Sequence, residues 1–350
     1  MIVSFGLFNS KPNCRASLSA LRLTRQLVLI KLPQDVRMMR KVKALHQGDT
    51  VGLIAPSSPA PLEDLEKAVA AVTELGFNVK VGTSCYESYG YMAGPEEIRA
   101  RDIHAMFGDP KINGIFCVRG GDGAIRLPRL INMKLIYKNP KVFLGYSDIT
   151  ILHLMFNLHG QFCTFHGPMP STDMIKDLFP GYEKDHLLRA ICDDEPIGEL
   201  RPYDGALPMQ TLVEGSAEGE IIGGNLSLVC ALMGTPWEID TKDRILILED
   251  IDEPVYKIDR MLSQLLLAGK LEAASGIVLG QFTNITHKDP SRTFALEKVF
   301  EDVVAKAGRP TLINGYFGHG EKKVTIPLGV RAVIDGSNST FTIIESGVVK

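Results

Sequence analysis

Short apolar runs alternate with segments of helical periodicity along the chain after residue 50. The run at 51–55 ends in a Pro-Ser-Ser-Pro turn, and apolar residues then recur at helical spacing between 62 and 75. Further apolar runs lie at 77–81, 114–118 and 142–145, each bounded by loop residues or by helical periodicity. Strands that alternate with helices predict a parallel sheet with helices on both faces, so we assign this part to the α/β class.

The second half of the chain has a different pattern. Between 170 and 214 the periodicity fades and five prolines interrupt the chain, as is typical of an interdomain connection. Beyond it, apolar runs at 245–248, 276–280 and 332–335 predict strands, and apolar positions from 258 to 265 form one face of a predicted helix. We therefore predict a smaller C-terminal domain of mixed α/β structure.

These patterns divide the chain into four segments. We assign residues 1–44 to a basic tail, 45–169 to an N-terminal α/β domain, 170–214 to an interdomain linker and 215–350 to the C-terminal domain. Charge sets the tail apart, since nine Lys and Arg residues fall within 1–45 against a single acid. These cations interrupt its apolar residues, so no secretory core forms, and we interpret the tail as disordered or as a mis-assigned start.

Composition and charge narrow the class of protein. With 45% hydrophobic and 23% charged residues, the chain resembles ordinary globular proteins and not disordered or collagen-like ones. A formal net charge of −3 argues against nucleic-acid binding, and no uncharged apolar run reaches the roughly 18 residues that span a bilayer. The six cysteines form no C-x-x-C pair and the histidines show no zinc spacing, so we expect reduced thiols in a cytoplasm and no metal site.

The strongest local feature is Ser147, which follows the apolar run at 142–145 and precedes a helical segment. A serine at a sharp turn from strand to helix exposes its hydroxyl, and the first amides of the helix can hold an oxyanion. Gly145 fits the crowding of such a nucleophile elbow, but Ile149 stands where the usual G-x-S-x-G pattern has its second glycine. The alternative interpretation is that Ser147 or Asp148 only caps the helix.

A serine nucleophile needs a base, and the base needs an acid to orient it. His319, in a glycine-flanked loop, is the candidate base, although a backbone-satisfied surface histidine is an equally good interpretation. Glu249, directly after the run at 245–248, is the candidate acid. Its alternatives are a solvated acidic loop or an acidic cluster at a helix start that complements the dipole of the next helix. His166 is the rival base, but its position favours a place in the pocket wall.

Arg119 and the glycines after it form the third candidate site. Glycine amides and a guanidinium together suit an oxyanion or a carboxylate, and Arg119 and Gly121 offer both. A phosphate cradle is a weaker interpretation, because neither dinucleotide-binding nor P-loop glycine patterns occur. The S-x-x-K motif is also absent, so we expect serine chemistry of the Ser-His-acid kind.

Eight motifs in order resemble a known family. They are VGLIAPS at 51–57, RGGDGA at 119–124, LGYSDIT at 144–150, HGPM at 166–169, GGNLS at 223–227, LILED at 246–250, YKIDRML at 256–262, and GH at 318–319 with IPLG at 326–329. From about residue 48 to about residue 335 the chain resembles the LD-carboxypeptidases, also called muramoyltetrapeptide carboxypeptidases. The microcin C immunity peptidases are a branch of that family.

The resemblance implies a fold, an activity and a site. It implies a glutamine-amidotransferase-like N-terminal domain, a distinct C-terminal domain, and a serine peptidase that removes the terminal D-alanine of murein tetrapeptides in cell-wall recycling. By motif, the nucleophile falls on Ser147, the acid on Glu249 and the base on His319. The oxyanion amides fall on Asp148 and, less directly, on Gly121. No metal or organic cofactor is implied.

The resemblance also implies partners and leaves two alternatives open. It implies a cytoplasmic homodimer, and we expect Arg119 to pair with the terminal carboxylate of the substrate. The first alternative is a related serine hydrolase that acts on a microcin-like aminoacyl or peptidyl adenylate, since Trp237 and the tyrosines at 86–91 could stack on a nucleobase. The second is a non-catalytic binding protein, which retention of the three triad candidates argues against.

Overall fold

The computed structural model describes residues 39–177, 179, 181–286 and 289–350. Most of the predicted basic tail, residues 1–38, lies outside the described residues. The rest of that tail belongs to the folded body, because Val42 and Lys43 form a parallel pair with Val348 and Val349. Val42 is fully buried there, so the segment is held by apolar packing as well as by backbone pairing.

Sixteen strands and nine α-helices occur in the described part of the chain. The strands are β1 (Val42–Lys43), β2 (Thr50–Ile54), β3 (Asn78–Val81), β4 (Gly114–Cys117), β5 (Val142–Gly145), β6 (Thr164–His166), β7 (Gly198–Glu199), β8 (Gln210–Val213), β9 (Ser216–Asn225), β10 (Arg244–Ile251), β11 (Gly276–Thr283), β12 (Thr311–Ile313), β13 (Ile326–Leu328), β14 (Arg331–Asp335), β15 (Thr340–Ile343) and β16 (Val348–Val349). The helices are α1 (Leu62–Glu74), α2 (Glu96–Gly108), α3 (Met133–Lys138), α4 (Thr150–Met155), α5 (Tyr182–Cys192), α6 (Leu226–Ala231), α7 (Val255–Leu267), α8 (Lys270–Ala273) and α9 (Leu296–Val299). None of these helices is both long enough and apolar enough to cross a bilayer.

The N-terminal sheet has the parallel arrangement that the sequence predicts. Its six strands lie in the order β13-β6-β5-β4-β2-β3, and the five strands β2 to β6 are parallel to one another. Every residue of β4 and β5 is buried, which explains why these strands appear as continuous apolar runs in the sequence. Because parallel strands end at one edge of the sheet, the loops after β2, β4 and β5 are brought together there.

The C-terminal sheet is mixed, as predicted. Its eight strands lie in the order β7-β15-β14-β9-β10-β11-β12-β8, and the central four, β9 to β12, are parallel. Antiparallel strands complete both edges. This sheet has more strands than the N-terminal one, although the sequence suggested the smaller domain.

Two features cross the boundaries that the sequence suggested. The segment 170–214, predicted as a linker, contains α5, β7 and β8. Its edge strands are short and its helix buries Glu183 besides apolar residues, so the apolar periodicity is weak. In addition β13, from the C-terminal segment, pairs antiparallel with β6, with Ile326 opposite His166. The N-terminal sheet therefore contains a strand that lies in sequence between β12 and β14 of the C-terminal sheet.

Helix α7 packs one face against the C-terminal sheet. Ile258, Leu262 and Leu265 are fully buried in a cluster that includes Leu246 and Leu248 of β10. Each such side chain contributes about 1.5–3 kcal/mol through its burial. The face predicted from 258 to 265 is thus the core-facing one.

We expect Leu262→Ala to lower the free energy of unfolding by about 2–5 kcal/mol, because it removes buried methyl groups and leaves a cavity. Urea unfolding followed by circular dichroism measures the change. Leu267→Ala is the matched control, since Leu267 ends the same helix with 89% of its surface exposed, and its effect should stay within about 0.5 kcal/mol. Equal losses in the two variants would contradict this assignment of the buried face.

Candidate active site

Ser147 lies on a sharp turn between β5 and α4. Its backbone has a φ of 64°, in the left-handed region that residues other than glycine rarely adopt. The chain passes at once into a 3₁₀ turn, Ser147–Ile149, which continues as α4. The turn tolerates Ile149 because Gly145 lies opposite, where a Cβ would stand only 3.0 Å from both Cγ1 and Cγ2 of Ile149. The predicted strand-turn-helix geometry is present, with the crowding relieved at Gly145.

The capping interpretation of this serine does not match the structure. Over the described residues, neither the 3₁₀ turn nor α4 begins with a side-chain cap. Asp148 instead accepts a hydrogen bond from the backbone N–H of Ala124 at 2.8 Å. Burial raises the pKa of Asp148 to about 6, and the hydrogen bond from Ala124 opposes that rise.

The loop after β4 packs directly on Ser147. A Cβ on Gly120 would lie 2.8 Å from the Cβ of Ser147, so only glycine permits this approach. The carbonyl of Gly120 accepts the N–H of Ser58 at 3.2 Å, and the N–H of Asp122 donates to the Ser58 hydroxyl at 3.0 Å. The loops after β2, β4 and β5 therefore meet at Ser147, with Gly121 between the two hydrogen-bonded residues.

A buried arginine that the sequence analysis did not identify joins these loops. Arg99 of α2 is 0% exposed, and its guanidinium donates to the carbonyls of Pro56 at 2.6 Å, Gly123 at 2.8 Å and Gly94 at 3.1 Å. A buried cation needs such acceptors, and these come from the loops around the site. Helical spacing could have indicated that Arg99 is buried, because it shares the buried face of α2 with Ile103.

Glu249 and His319 form a hydrogen-bonded pair. The distance from His319 Nδ1 to Glu249 Oε2 is 2.7 Å, and the Glu249 side chain is 0% exposed while that of His319 is 12% exposed. Burial disfavours the charged imidazole, but the adjacent Glu249 carboxylate outweighs it and holds the pKa of His319 above its usual value. With Nδ1 turned to Glu249, the neutral ring presents Nε2 as a proton acceptor.

The loop that carries His319 is fixed against both halves of the molecule. The side-chain oxygen of Gln281, in β11, accepts a hydrogen bond from the N–H of Gly320 at 2.8 Å. The backbone N–H of Gln281 donates to the carbonyl of Phe317 at 2.8 Å. The imidazole of His319 lies against the ring of Tyr146, with 4.8 Å between ring centroids. Since Tyr146 directly precedes Ser147, the structure brings the candidate base, acid and nucleophile into one region.

The remaining predicted residues flank this region. Arg119 donates through Nη1 to the carbonyl of Pro59 at 3.2 Å, while its Nε is buried without a hydrogen-bond partner in the described structure. His166 is 1% exposed, neither ring nitrogen has a partner within the described ranges, and burial lowers its pKa well below the usual value. It is therefore a neutral, enclosed residue, as expected for the pocket wall. No cluster of three or more His, Cys, Asp or Glu residues suited to a metal occurs in the described residues.

Comparison with known proteins assigns both halves of the chain. Residues 51–167 match the LD-carboxypeptidase N-terminal domain and residues 218–334 match the LD-carboxypeptidase C-terminal domain. The chain is 42% identical over 310 residues to a Bacillus subtilis protein named "Probable murein peptide carboxypeptidase", covering 88% of this chain and 95% of the relative. It is 32% identical over 291 residues to the murein tetrapeptide carboxypeptidase of Pseudomonas aeruginosa, covering 82% and 93%.

A solved structure agrees at the level of the fold. The structure of MccF in complex with glutamyl sulfamoyl guanosine has a TM-score of 0.81 to this chain at 23% sequence identity, covering 88% of this chain and 99% of that one. The same fold thus occurs in MccF. The matches of both halves and the 42% identical relative confirm the resemblance seen in the motifs, and the chain belongs to the LD-carboxypeptidase family.

Proposed function

We propose that this protein is a serine carboxypeptidase that cleaves the bond between an L-centre and the terminal D-alanine of murein tetrapeptides. The observation that carries the proposal is the buried Glu249–His319 pair beside the strained Ser147 turn. The geometry is that of a nucleophile, a base and an orienting acid. The choice of substrate is supported by the 42% identical relative, whose name gives it a murein peptide as substrate.

The first half of the reaction forms an acyl-enzyme. The Ser147 oxygen attacks the scissile carbonyl carbon, and its proton passes to Nε2 of His319. The Glu249 carboxylate stabilises the imidazolium that results. When the tetrahedral intermediate collapses, the C–N bond breaks and the departing amine of D-alanine takes the proton from His319.

The second half releases the shortened peptide. Water gives a proton to His319 and attacks the ester carbon, and the Ser147 oxygen leaves with that proton. In both halves the carbonyl oxygen carries a transient negative charge. We assign the hydrogen-bond donors for this oxygen to the backbone amides of Asp148 and Gly121. Asp148 lies in the first helical turn, where amides lack intrahelical acceptors.

We assign to Arg119 the recognition of the substrate's terminal carboxylate. Its loop is the one that packs on Ser147, and among the described residues its guanidinium has one hydrogen-bond partner, the carbonyl of Pro59 at Nη1, so Nη2 remains as a donor for a ligand. A guanidinium at this place would select peptides that end one residue beyond the cleaved bond. This selection is what distinguishes a carboxypeptidase from an endopeptidase.

We further propose a cytoplasmic homodimer that acts in cell-wall recycling. The cysteines of the described chain, Cys85, Cys117, Cys163, Cys192 and Cys230, are free thiols. Unpaired and largely buried thiols are typical of reducing compartments.

A second candidate function is hydrolysis of a microcin-like aminoacyl or peptidyl adenylate. It is favoured by Tyr86, Tyr89 and Tyr91, which are each more than half exposed in the loop whose Ala93 N–H donates to the Ser57 carbonyl. Such rings could stack on a nucleobase. Trp237 supports it less, because it is partly buried against the apolar core.

The first test uses L-Ala-D-Glu-diaminopimelate-D-Ala, with the lysine-containing tetrapeptide alongside and mass spectrometry as the readout. We expect the wild type to release one alanine, and Ser147→Ala and His319→Ala to be slower by about 10³-fold or more because they remove the nucleophile and the base. Glu249→Ala should lower the rate by orders of magnitude too. Ser337→Ala, in an exposed turn, is the control and should match the wild type.

Circular dichroism should show that the three variants are folded. If neither peptide is cleaved while a fluorophosphonate still labels Ser147, the enzyme remains a serine hydrolase and the adenylate becomes its candidate substrate. If Ser147→Ala is labelled or remains active, Ser147 is not the nucleophile.

The raised pKa of His319 predicts the acid limb of the pH profile. Because the base must be neutral, kcat/KM should fall as the pH drops through a pKa above 6.5. Glu249→Gln removes the charge that stabilises the imidazolium, so the limb should move to lower pH while the rate falls. The profile is measured as the rate of fluorophosphonate labelling between pH 5 and pH 9, and a limb that does not move would contradict the role of Glu249.

Arg119→Ala should lower kcat/KM for the tetrapeptide about 10- to 100-fold, the value of one charge-assisted contact. A tetrapeptide with an amidated C-terminus separates this role from a structural one. The variant should lose its preference for the free carboxylate over the amide, and unchanged cleavage of the free acid would reject the assignment. Arg126→Ala, an exposed arginine nearby in sequence, serves as the control.

A further inference from the structure

A buried lysine lies on the same loop as His319. Lys323 has 2% of its side chain exposed, and its Nζ lies 2.9 Å from Asp173 Oδ1 and 3.3 Å from Glu183 Oε1. Both carboxylates are themselves almost fully buried, and both belong to the segment 170–214. The catalytic loop is therefore attached by an internal ion pair to a part of the chain that supplies none of the proposed catalytic groups.

Asp173 contacts the other side of the site as well. The hydroxyl of Tyr146 donates to Asp173 Oδ1 at 3.2 Å, and the N–H of Met169 donates to Oδ2 at 2.9 Å. Tyr146 directly precedes Ser147, and its ring packs on His319. The Lys323 ammonium lies 5.4 Å from the centre of that same ring. One carboxylate thus joins the residue before the nucleophile to the loop of the base.

The charge on Lys323 is maintained inside the protein. Burial opposes it, but Asp173 and Glu183 outweigh the burial and keep the pKa of Lys323 above its usual value. Buried ion pairs gain little stability over apolar packing of the same shape. Their value lies in fixing one geometry, since a displaced partner would leave an unpaired charge away from water.

We propose that Lys323 and Asp173 are positioning residues, whose buried bridge holds His319 within reach of Ser147. The inference rests on the proposed roles of those two catalytic residues and deepens them. The bridge complements the anchor from Gln281, which holds the neighbouring residues of the loop through Gly320 and Phe317. Neither Lys323 nor Asp173 touches the reacting atoms in this role.

The bridge also acts on the electrostatics of the base. The charged and titratable groups near His319 are Glu249 and Asp250 of β10, Tyr146 after β5, His166 of β6, and Lys323. Glu249 and Asp250 raise the pKa of His319, whereas Lys323 lowers it. Removal of the ammonium therefore shifts the acid limb of activity to higher pH, a change that loss of fold stability alone does not produce.

The test is Lys323→Met with Lys322→Met as the matched control. Lys322 is the adjacent lysine, and its ammonium lies 5.7 Å from the centre of the Tyr203 ring while its carbonyl accepts from Gln281. The buried carboxylates of Asp173 and Glu183 pair with Lys323 instead. We expect fluorophosphonate labelling of Ser147 in Lys323→Met to slow about 100-fold, the effect of a displacement of roughly 1 Å. The fall on tetrapeptide should be in kcat, with KM within about threefold, and the acid limb should move to higher pH.

A second variant separates the loss of positioning from unfolding caused by an unpaired buried charge. Lys323→Met with Asp173→Asn and Glu183→Gln removes all three charges and leaves no unpaired buried ion, so it should melt close to the wild type while labelling stays slow. Wild-type labelling rates and pH profiles in both folded variants would overturn the proposal. Labelling does not depend on the natural substrate, so a wild type that labels without cleaving tetrapeptide refutes the substrate and still tests the bridge.

Discussion

A carboxylate removed completely from water must keep a partner, and for Glu249 that partner is the imidazole of His319. This requirement connects the C-terminal sheet to the turn at Ser147, because Glu249 is fixed in β10 while His319 reaches over to the ring of Tyr146. Two further residues hold the loop of His319 in the same place. Gln281 and Lys323 hold the same loop, one from a neighbouring strand and the other through Asp173. The two sheets therefore act as one frame for a small group of side chains.

Local pattern was sufficient to predict much of the fold. The fully buried strands β4 and β5 appear as uninterrupted apolar runs, and the face of α7 from Ile258 to Leu265 appears at helical spacing. The turn at Ser147 could be predicted because Gly145 stands at the right distance before the serine. The sequence alone did not decide whether Ser147 and Asp148 cap the helix or form a nucleophile turn. That question depended on the direction of the Asp148 carboxylate, which accepts from the N–H of Ala124.

The features that the sequence did not predict depend on partners distant in the chain. The spacing of Arg99 along α2 places it on the buried face, but the carbonyls of Pro56 and Gly123 that accept its hydrogen bonds come from other loops of the chain. Lys323 follows another lysine and resembles a solvated pair, yet its partners lie 150 and 140 residues away. The helix and strands within 170–214 were hidden for a related reason, since their burial is achieved partly with charged residues. Periodicity detects apolar faces and cannot detect satisfied buried charges.

The pairing of β13 with β6 has a consequence for the order of events during synthesis. Residues 45–169 leave the ribosome before the C-terminal segment, but the outer side of β6, at the edge of their sheet, has no partner strand until Ile326–Leu328 has been made. An unpaired sheet edge is open to association with other chains, so the nascent protein carries an aggregation-prone surface from the end of β6 at residue 166 until β13 begins at residue 326. The same stretch of chain also delivers His319. Closure of the sheet and synthesis of His319 are thus nearly simultaneous, and an incomplete chain lacks both the strand that covers its edge and the base that we propose for the reaction.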